Sequence, residues 1–235
     1  MSAGGTRVLL WDIDGTLLTT KRAGVFALEE AAREVCGTTP DFAELQTAGL
    51  TDHEIALVAI EVCGGDPSPE TAAAFLRVYE RYLPDRLGWR DGSALPGVVA
   101  ILEDLSDDDG ILSLLLTGNT PAGARAKLEH FGIAGFLSAG AFCESGNDRE
   151  TIADRALELA SEMLGGRPDP DSTFVIGDTP HDIRCGKHIG ARTIAVATGV
   201  YTAAELREHE PWRLLDELPP PAQFRELVTS GANCG

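Results

Sequence analysis

The stretch Val8-Leu9-Leu10-Trp11-Asp12-Ile13-Asp14-Gly15-Thr16 sets four apolar residues directly against two aspartates and a glycine. Unbroken apolar character in so short a run predicts a strand covered on both faces, as in a parallel sheet. Residues two apart on an extended chain point the same way, so Asp12 and Asp14 would share one crevice at the strand's C-terminal end. Ligands of open α/β sheets bind there. Gly15 would let the backbone turn sharply. Two close carboxylates raise each other's pKa unless a cation lies between them. Taken alone, the stretch reads equally as a capping or solvated aspartate pair.

Outward from this run, similar apolar segments recur at 111–116, 174–176 and 193–197, with a weaker one at 136–141. Helical patterns fall between them at 96–105, 121–131, 151–164 and 180–189, and a last helix is expected at 222–229. Pro121 and Pro180 sit where a missing N–H costs nothing, with Thr120 and Thr179 as N-caps. Strands alternating with helices predict an α/β fold with a doubly wound parallel sheet. Residues 19–90 break the alternation. They carry helical patterns only, at 23–35, 52–63 and 69–83, and Val25, Leu28, Ala32 and Val35 approximate one face of the first. This segment reads as a helical insertion after the first strand.

Composition narrows the function classes. Of 235 residues, 19 are Lys or Arg and 37 are Asp or Glu, a formal charge of −18. With no cluster of basic residues, nucleic acid is not an expected partner. The longest aliphatic run is far too short to cross a bilayer and the N-terminal residues do not resemble a signal peptide, so no membrane partner is expected. The five cysteines are odd in number and form no C-x-x-C, which fits a reducing cytoplasm.

Two further strand ends carry polar groups. Thr117-Gly118-Asn119 follows the second run and precedes a proline-started helix, an anion-binding arrangement of hydroxyl and free N–H groups. Gly177-Asp178-Thr179-Pro180-His181-Asp182 places two more carboxylates at another strand end. Each alone is explained as well by helix capping. Three together are not.

On these residues the sequence resembles the haloacid dehalogenase superfamily of hydrolases, in particular its phosphoglycolate phosphatase-like members with a helical cap. Asp12-x-Asp14-Gly15-Thr16 matches the family's first motif, Thr117-Gly118-Asn119 the second, and Gly177-Asp178-x-x-x-Asp182 the fourth. The third is a lone Lys or Arg opening the helix before the fourth. Lys187 lies after Asp178 and Arg167 sits in a Gly/Pro/Asp loop, which leaves Arg149. Arginine departs from the commoner lysine but keeps the charge and adds a bidentate fork. The resemblance implies a Rossmann-like core formed by residues 1–18 and 91–235 and a helical cap formed by residues 19–90.

It also implies a reaction: hydrolysis of a small-metabolite phosphate monoester through an aspartyl-phosphate. Asp12 would be the nucleophile and Asp14 the acid and base. Mg2+ would be held by Asp12, the Asp14 backbone carbonyl and Asp178, with Asp182 orienting the groups around the ion. Thr117, Gly118, Asn119 and Arg149 would bind phosphoryl oxygens. By analogy with capped members, Thr51 and Asp52 would reach the substrate from the cap. The cation and Arg149 would offset the repulsion between an acidic chain and an anionic ester. A sugar phosphomutase uses the same aspartates. A 2-haloacid dehalogenase needs neither Asp14 nor a metal, and a non-catalytic module would not need every position filled. The expected partner is a small phosphorylated metabolite, and the expected state a monomer or homodimer.

Weaker signals complete the reading. His181, Cys185 and His188 share a helical face, a spacing compatible with zinc, although nothing completes such a site. Lys21 and Arg22 lie where the insertion joins the core, within reach of an anionic substrate.

Overall fold

The structure, a computed structural model, describes residues 5–137, 139–144, 146 and 148–230. Its centre is the strand β1 (Arg7–Trp11), paired in parallel on one side with β4 (Ile111–Leu116) and on the other with β6 (Thr173–Gly177). The sheet extends through β5 (Gly140–Ala141) at one edge and β7 (Arg192–Val196) and β8 (Arg213–Leu215) at the other. The order β5-β4-β1-β6-β7-β8 reverses direction at β1. The C-terminal ends of β1, β4 and β6 are therefore neighbours at the switch point, and they carry Asp12, Thr117 and Asp178.

The continuous apolar run of β1 is explained by what covers it. Val8 and Leu10 pack on one face with Ile152, Ala153 and Ala156 of α6 (Arg149–Leu164) and Cys185 of α7 (Pro180–Ile189). Leu9 and Trp11 pack on the other with α4 (Val98–Ser106), α5 (Pro121–His130) and α9 (Pro221–Ser230). There the ring of Phe224 stacks on Trp11 at 5.3 Å between centroids. A strand with no solvated face has no polar alternation to show.

Residues 24–87 form three helices, α1 (Gly24–Cys36), α2 (Asp52–Val62) and α3 (Pro69–Leu87), with an apolar interior of their own built from Leu28, Ala31, Ile60, Phe75 and Leu83 among others. Val25, Leu28 and Ala32 are buried there and Val35 packs against them, the face the periodicity predicts. The segment is reached through a two-stranded antiparallel ribbon of β2 (Leu18–Thr19) and β3 (Ser93–Ala94). The third helix runs one turn past residue 83, where the sequence reading stops it. Pro84 removes a helical hydrogen bond, but burial of Leu87 holds the last turn in place.

Smaller differences are local. The weak run 136–141 yields only the two-residue strand β5. The edge strand β8 and the short helix α8 (Ala203–Glu208) fall outside the expected pattern. Helix α6 begins two residues early because Asp148 caps it, accepting from the Thr151 N–H at 2.7 Å. Thr120 and Thr179 cap α5 and α7 as expected. Cys36, Cys63, Cys143 and Cys185 are free thiols, and Cys234 lies outside the described residues. Among the described residues no helix is long and apolar enough to cross a membrane.

Candidate active site at the strand ends

The Asp12 N–H continues the ladder to the Ile176 carbonyl at 3.0 Å, which fixes the aspartate at the seam between β1 and β6. One carboxylate oxygen each from Asp12, Asp178 and Asp182 lie within 4.8 Å of one another, and all three residues are buried. Gly15, at φ 84°, makes that approach possible. A Cβ there would stand 2.4 Å from Asp178 Oδ2, and one on Gly199 would stand 1.6 Å from the same atom. Only glycine leaves room for the Asp178 carboxylate at these two contacts.

The cluster is electrostatically uncomfortable by itself. Burial, then repulsion from Asp182, pushes Asp12 up to about 7, against the opposing pull of Arg149. Burial also holds Asp178 well above the usual carboxylate range, reinforced by Asp182 and Asp12, while the Thr16 hydroxyl donating at 3.3 Å works the other way. Arg149 opens α6 and sends Nη1 to 3.3 Å from Asp182 Oδ1 and 3.7 Å from Asp12 Oδ1. Its Nε donates to the Gly49 carbonyl at 3.2 Å, tying this guanidinium to the loop before α2. One cation facing three buried carboxylates leaves net negative charge. The donors are all oxygens, the set a hard divalent cation such as magnesium takes.

Asp14 stands apart from this trio. Its side chain is 43% exposed, and its Oδ2 accepts from Lys127 Nζ at 2.5 Å and from Asn119 Nδ2 at 2.9 Å. The sequence reading has Asp12 and Asp14 as the mutually repelling pair. In the structure the stronger repulsion on Asp12 comes from Asp182, whose buried carboxylate lies within 4.8 Å of it, while Asp14 is outside that cluster. Asp182 also closes the capping box of α7, accepting from the Thr179 N–H and hydroxyl through Oδ2 while Oδ1 faces Arg149.

The second strand end is preorganised by its own bonds. Thr117 Oγ1 accepts from Asn119 Nδ2 at 2.8 Å, and the Gly118 carbonyl accepts from the Asp52 N–H at 2.7 Å. Asp52 also accepts from the Thr120 N–H at 2.7 Å, so it fastens the start of α2 to the start of α5. Burial pushes Asp52 up to about 6, with Lys127 and the Thr120 N–H pulling it down. Thr51 takes a different part. Its hydroxyl is held in the capping box of α2 with Glu54.

These groups surround a cavity of about 380 Å³. Asp12, Asp14, Asn119, Lys127, Arg149 and Asp178 line its core side, and Val25, Leu28, Leu50, Ile55 and Tyr79 its helical side. Gly118, Asp52, Lys21 and Arg22 line it too, whereas Thr51, Thr117 and Asp182 stand behind the wall. Arg22 donates to the carbonyls of Phe42, Ala43 and Leu45, which holds the loop over the site. The histidine–cysteine face of α7 does not converge. His188 bonds Asp154, His181 bonds Arg184, and the Cys185 thiol donates to the Arg149 carbonyl.

Lys127 is the charged residue of the cavity lining that sequence reasoning missed, among the described residues. The signal was present: on α5 it falls on the face carrying Gly123, Ala124 and Leu128. A lysine on the apolar face of a helix requires an anionic partner.

The model of the haloacid dehalogenase-like hydrolase family matches residues 9–187, and the chain belongs to that family. A Dickeya dadantii protein named "Probable phosphatase IndB" is 27% identical over 213 residues, 89% of each chain. The tyrosine-protein kinase PtkA of Mycobacterium tuberculosis is also 27% identical, over 82% of this chain and 62% of its own length. Among solved structures, a predicted phosphoglycolate phosphatase from Haemophilus somnus superposes with a TM-score of 0.71 at 15% identity, covering 97% of this chain and 99% of the other. CbbY from Rhodobacter sphaeroides gives 0.67 at 20%, covering 97% and 100%. These similarities establish the fold.

Proposed function

We propose that this chain is a magnesium-dependent phosphatase that hydrolyses a phosphate monoester of a small cytoplasmic metabolite through an aspartyl-phosphate on Asp12. The observation that carries the reading is the buried trio Asp12, Asp178 and Asp182 facing one guanidinium beneath a cavity of metabolite size. The phosphatase-named relative and the neighbour solved in complex with phosphate point the same way.

The ion would be held by Asp12, the Asp14 carbonyl and Asp178, and would supply charge neutralisation for carboxylates and phosphate together. Asp12 attacks phosphorus as the bond to the leaving oxygen breaks. Asp14 gives that oxygen a proton, then takes one from the water that opens the acyl phosphate. Such help is typically worth about 10²–10⁴-fold. Arg149 and the Gly118 N–H steady the phosphoryl oxygens, Thr117 and Asn119 hold that strand end in shape by bonding each other, and Asp182 holds Arg149 in place. Residues 19–90 act as a cap over the core of 1–18 and 91–235, excluding bulk water and sorting leaving groups. Glycolate phosphate, a sugar phosphate and a nucleotide are the substrate classes in order of preference.

The test is phosphate release from a panel of phosphate esters with magnesium, beside a chelator control and Asp12→Asn. Turnover is expected with magnesium, loss of it with chelator, and a fall of about 10³-fold or more in the variant. Label from ³²P-ester should be trapped on Asp12. Turnover by Asp12→Asn at the wild-type rate, or no ester cleaved across the panel, overturns the reading.

A further inference from the structure

Lys127 is buried, with its side chain 8% exposed, and Nζ reaches both Asp14 Oδ2 and Asn119 Oδ1 at 2.5 Å. The Asn119 amide closes the figure by donating to the same Asp14 oxygen at 2.9 Å. Lysine, asparagine and aspartate thus form a ring in which each side chain touches the other two. Among the described residues both side-chain hydrogen bonds of the Asp14 carboxylate fall on Oδ2, which leaves Oδ1 as the oxygen to present to the cavity. A carboxylate 43% exposed would otherwise sample several rotamers. A buried ammonium needs an anion against it, and here the Asp14 carboxylate supplies one.

We propose that Lys127 is a positioning residue that aims Asp14 at the leaving oxygen and stabilises the carboxylate formed there when the ester bond breaks. The inference rests on the phosphatase reading above. In that step the phosphorus–oxygen bond of the ester breaks and its electron pair stays on the leaving oxygen. The Asp14 proton moves to that oxygen, and Asp14 becomes an anion beside a fixed ammonium. A lysine that merely fastened α5 would matter equally for every ester. One that serves proton donation matters most where the leaving oxygen is strongly basic.

The experiment compares kcat/KM for 4-nitrophenyl phosphate, whose leaving group needs little protonation, with that for the fastest alkyl phosphate of the panel. Wild type, Asp14→Asn, Lys127→Met and Lys127→Gln are measured, the last serving if the methionine variant does not fold. The ratio of the two substrates is independent of the fraction of active protein. Asp14→Asn is expected to lose far more on the alkyl ester, and the Lys127 variant to lose at least about tenfold more on it than on the aryl ester. An even loss in the Lys127 variant beside an uneven loss in Asp14→Asn overturns the role of Lys127 and leaves the phosphatase reading standing. An even loss in Asp14→Asn removes Asp14 as proton donor, and Lys127 with it.

Discussion

The strand-end crevice and the interior of the helical insertion are built on opposite terms. The crevice buries Asp12, Asp178, Asp182 and Lys127 and leaves little of Arg149 exposed, each held by named partners at fixed distance. The insertion buries Phe75, Ile60, Leu28, Leu83 and Ala31, which satisfy one another by shape alone. Charges in low dielectric tolerate little displacement, whereas apolar packing tolerates exchange at constant volume. The first region therefore fixes a chemistry and the second only a shape. The two meet at Asp52 and the Gly49 carbonyl.

The comparison can be broken at three points. The largest effect is expected from Phe75→Ala, which opens a void inside the insertion. Unfolding monitored by denaturant should show a loss of about 3–5 kcal/mol. If the insertion serves only as shape, the folded variant keeps whatever metal dependence and ester preference the wild type shows in the phosphate-release panel. Arg149→Met strikes the crevice instead. At saturating magnesium its kcat should fall by about 10²–10³-fold, the usual loss on removing one preorganised donor. A fall confined to KM would place Arg149 in binding alone.

The smallest effect tests the seam. Asp52 titrates near 6 in the folded protein against an ordinary value of 3.8. The folded state therefore holds the proton more tightly between these values, and stability falls as pH rises through them. Relative to Asp52→Asn, which keeps an acceptor for the Thr120 N–H, the wild type should lose about 2–3 kcal/mol between pH 4 and pH 7. Parallel pH profiles for the two proteins would mean that Asp52 ionises without cost and that the seam is not electrically strained.

Legibility in the sequence follows the same division. The strands β1, β4, β6 and β7 stand out because each is covered on both faces and reads as an apolar run. Edge strand β8 and the two-residue β5 lack such cover and leave little pattern. Proline at N1 with threonine before it marks the starts of α5 and α7 through chemistry local to the turn. The convergence of Asp12 and Asp178 is visible from strand ends, and Arg149 is found only through the family's third motif. The partners of each charge are not visible. The pairing of Lys127 with Asp14 depends on a helix crossing behind the crevice, 113 residues along the chain. Likewise Thr51 reads as a candidate ligand from its position, but its hydroxyl is engaged locally with Glu54, and Asp52 alone of the two lines the cavity.

The ribbon of β2 and β3 pairs Leu18 with Ala94 and Thr19 with Ser93, so the chain departs from the sheet and returns to it at the same place. For the sheet, everything between those residues is a detour of zero net displacement. A graft that replaces residues 20–92 with a helical unit of another size must match this ribbon and the contacts that Asp52 and the Gly49 carbonyl make with Gly118, Thr120 and Arg149. Where both are matched, the insertion can be exchanged as one contiguous gene segment, with no change to the six strands beneath.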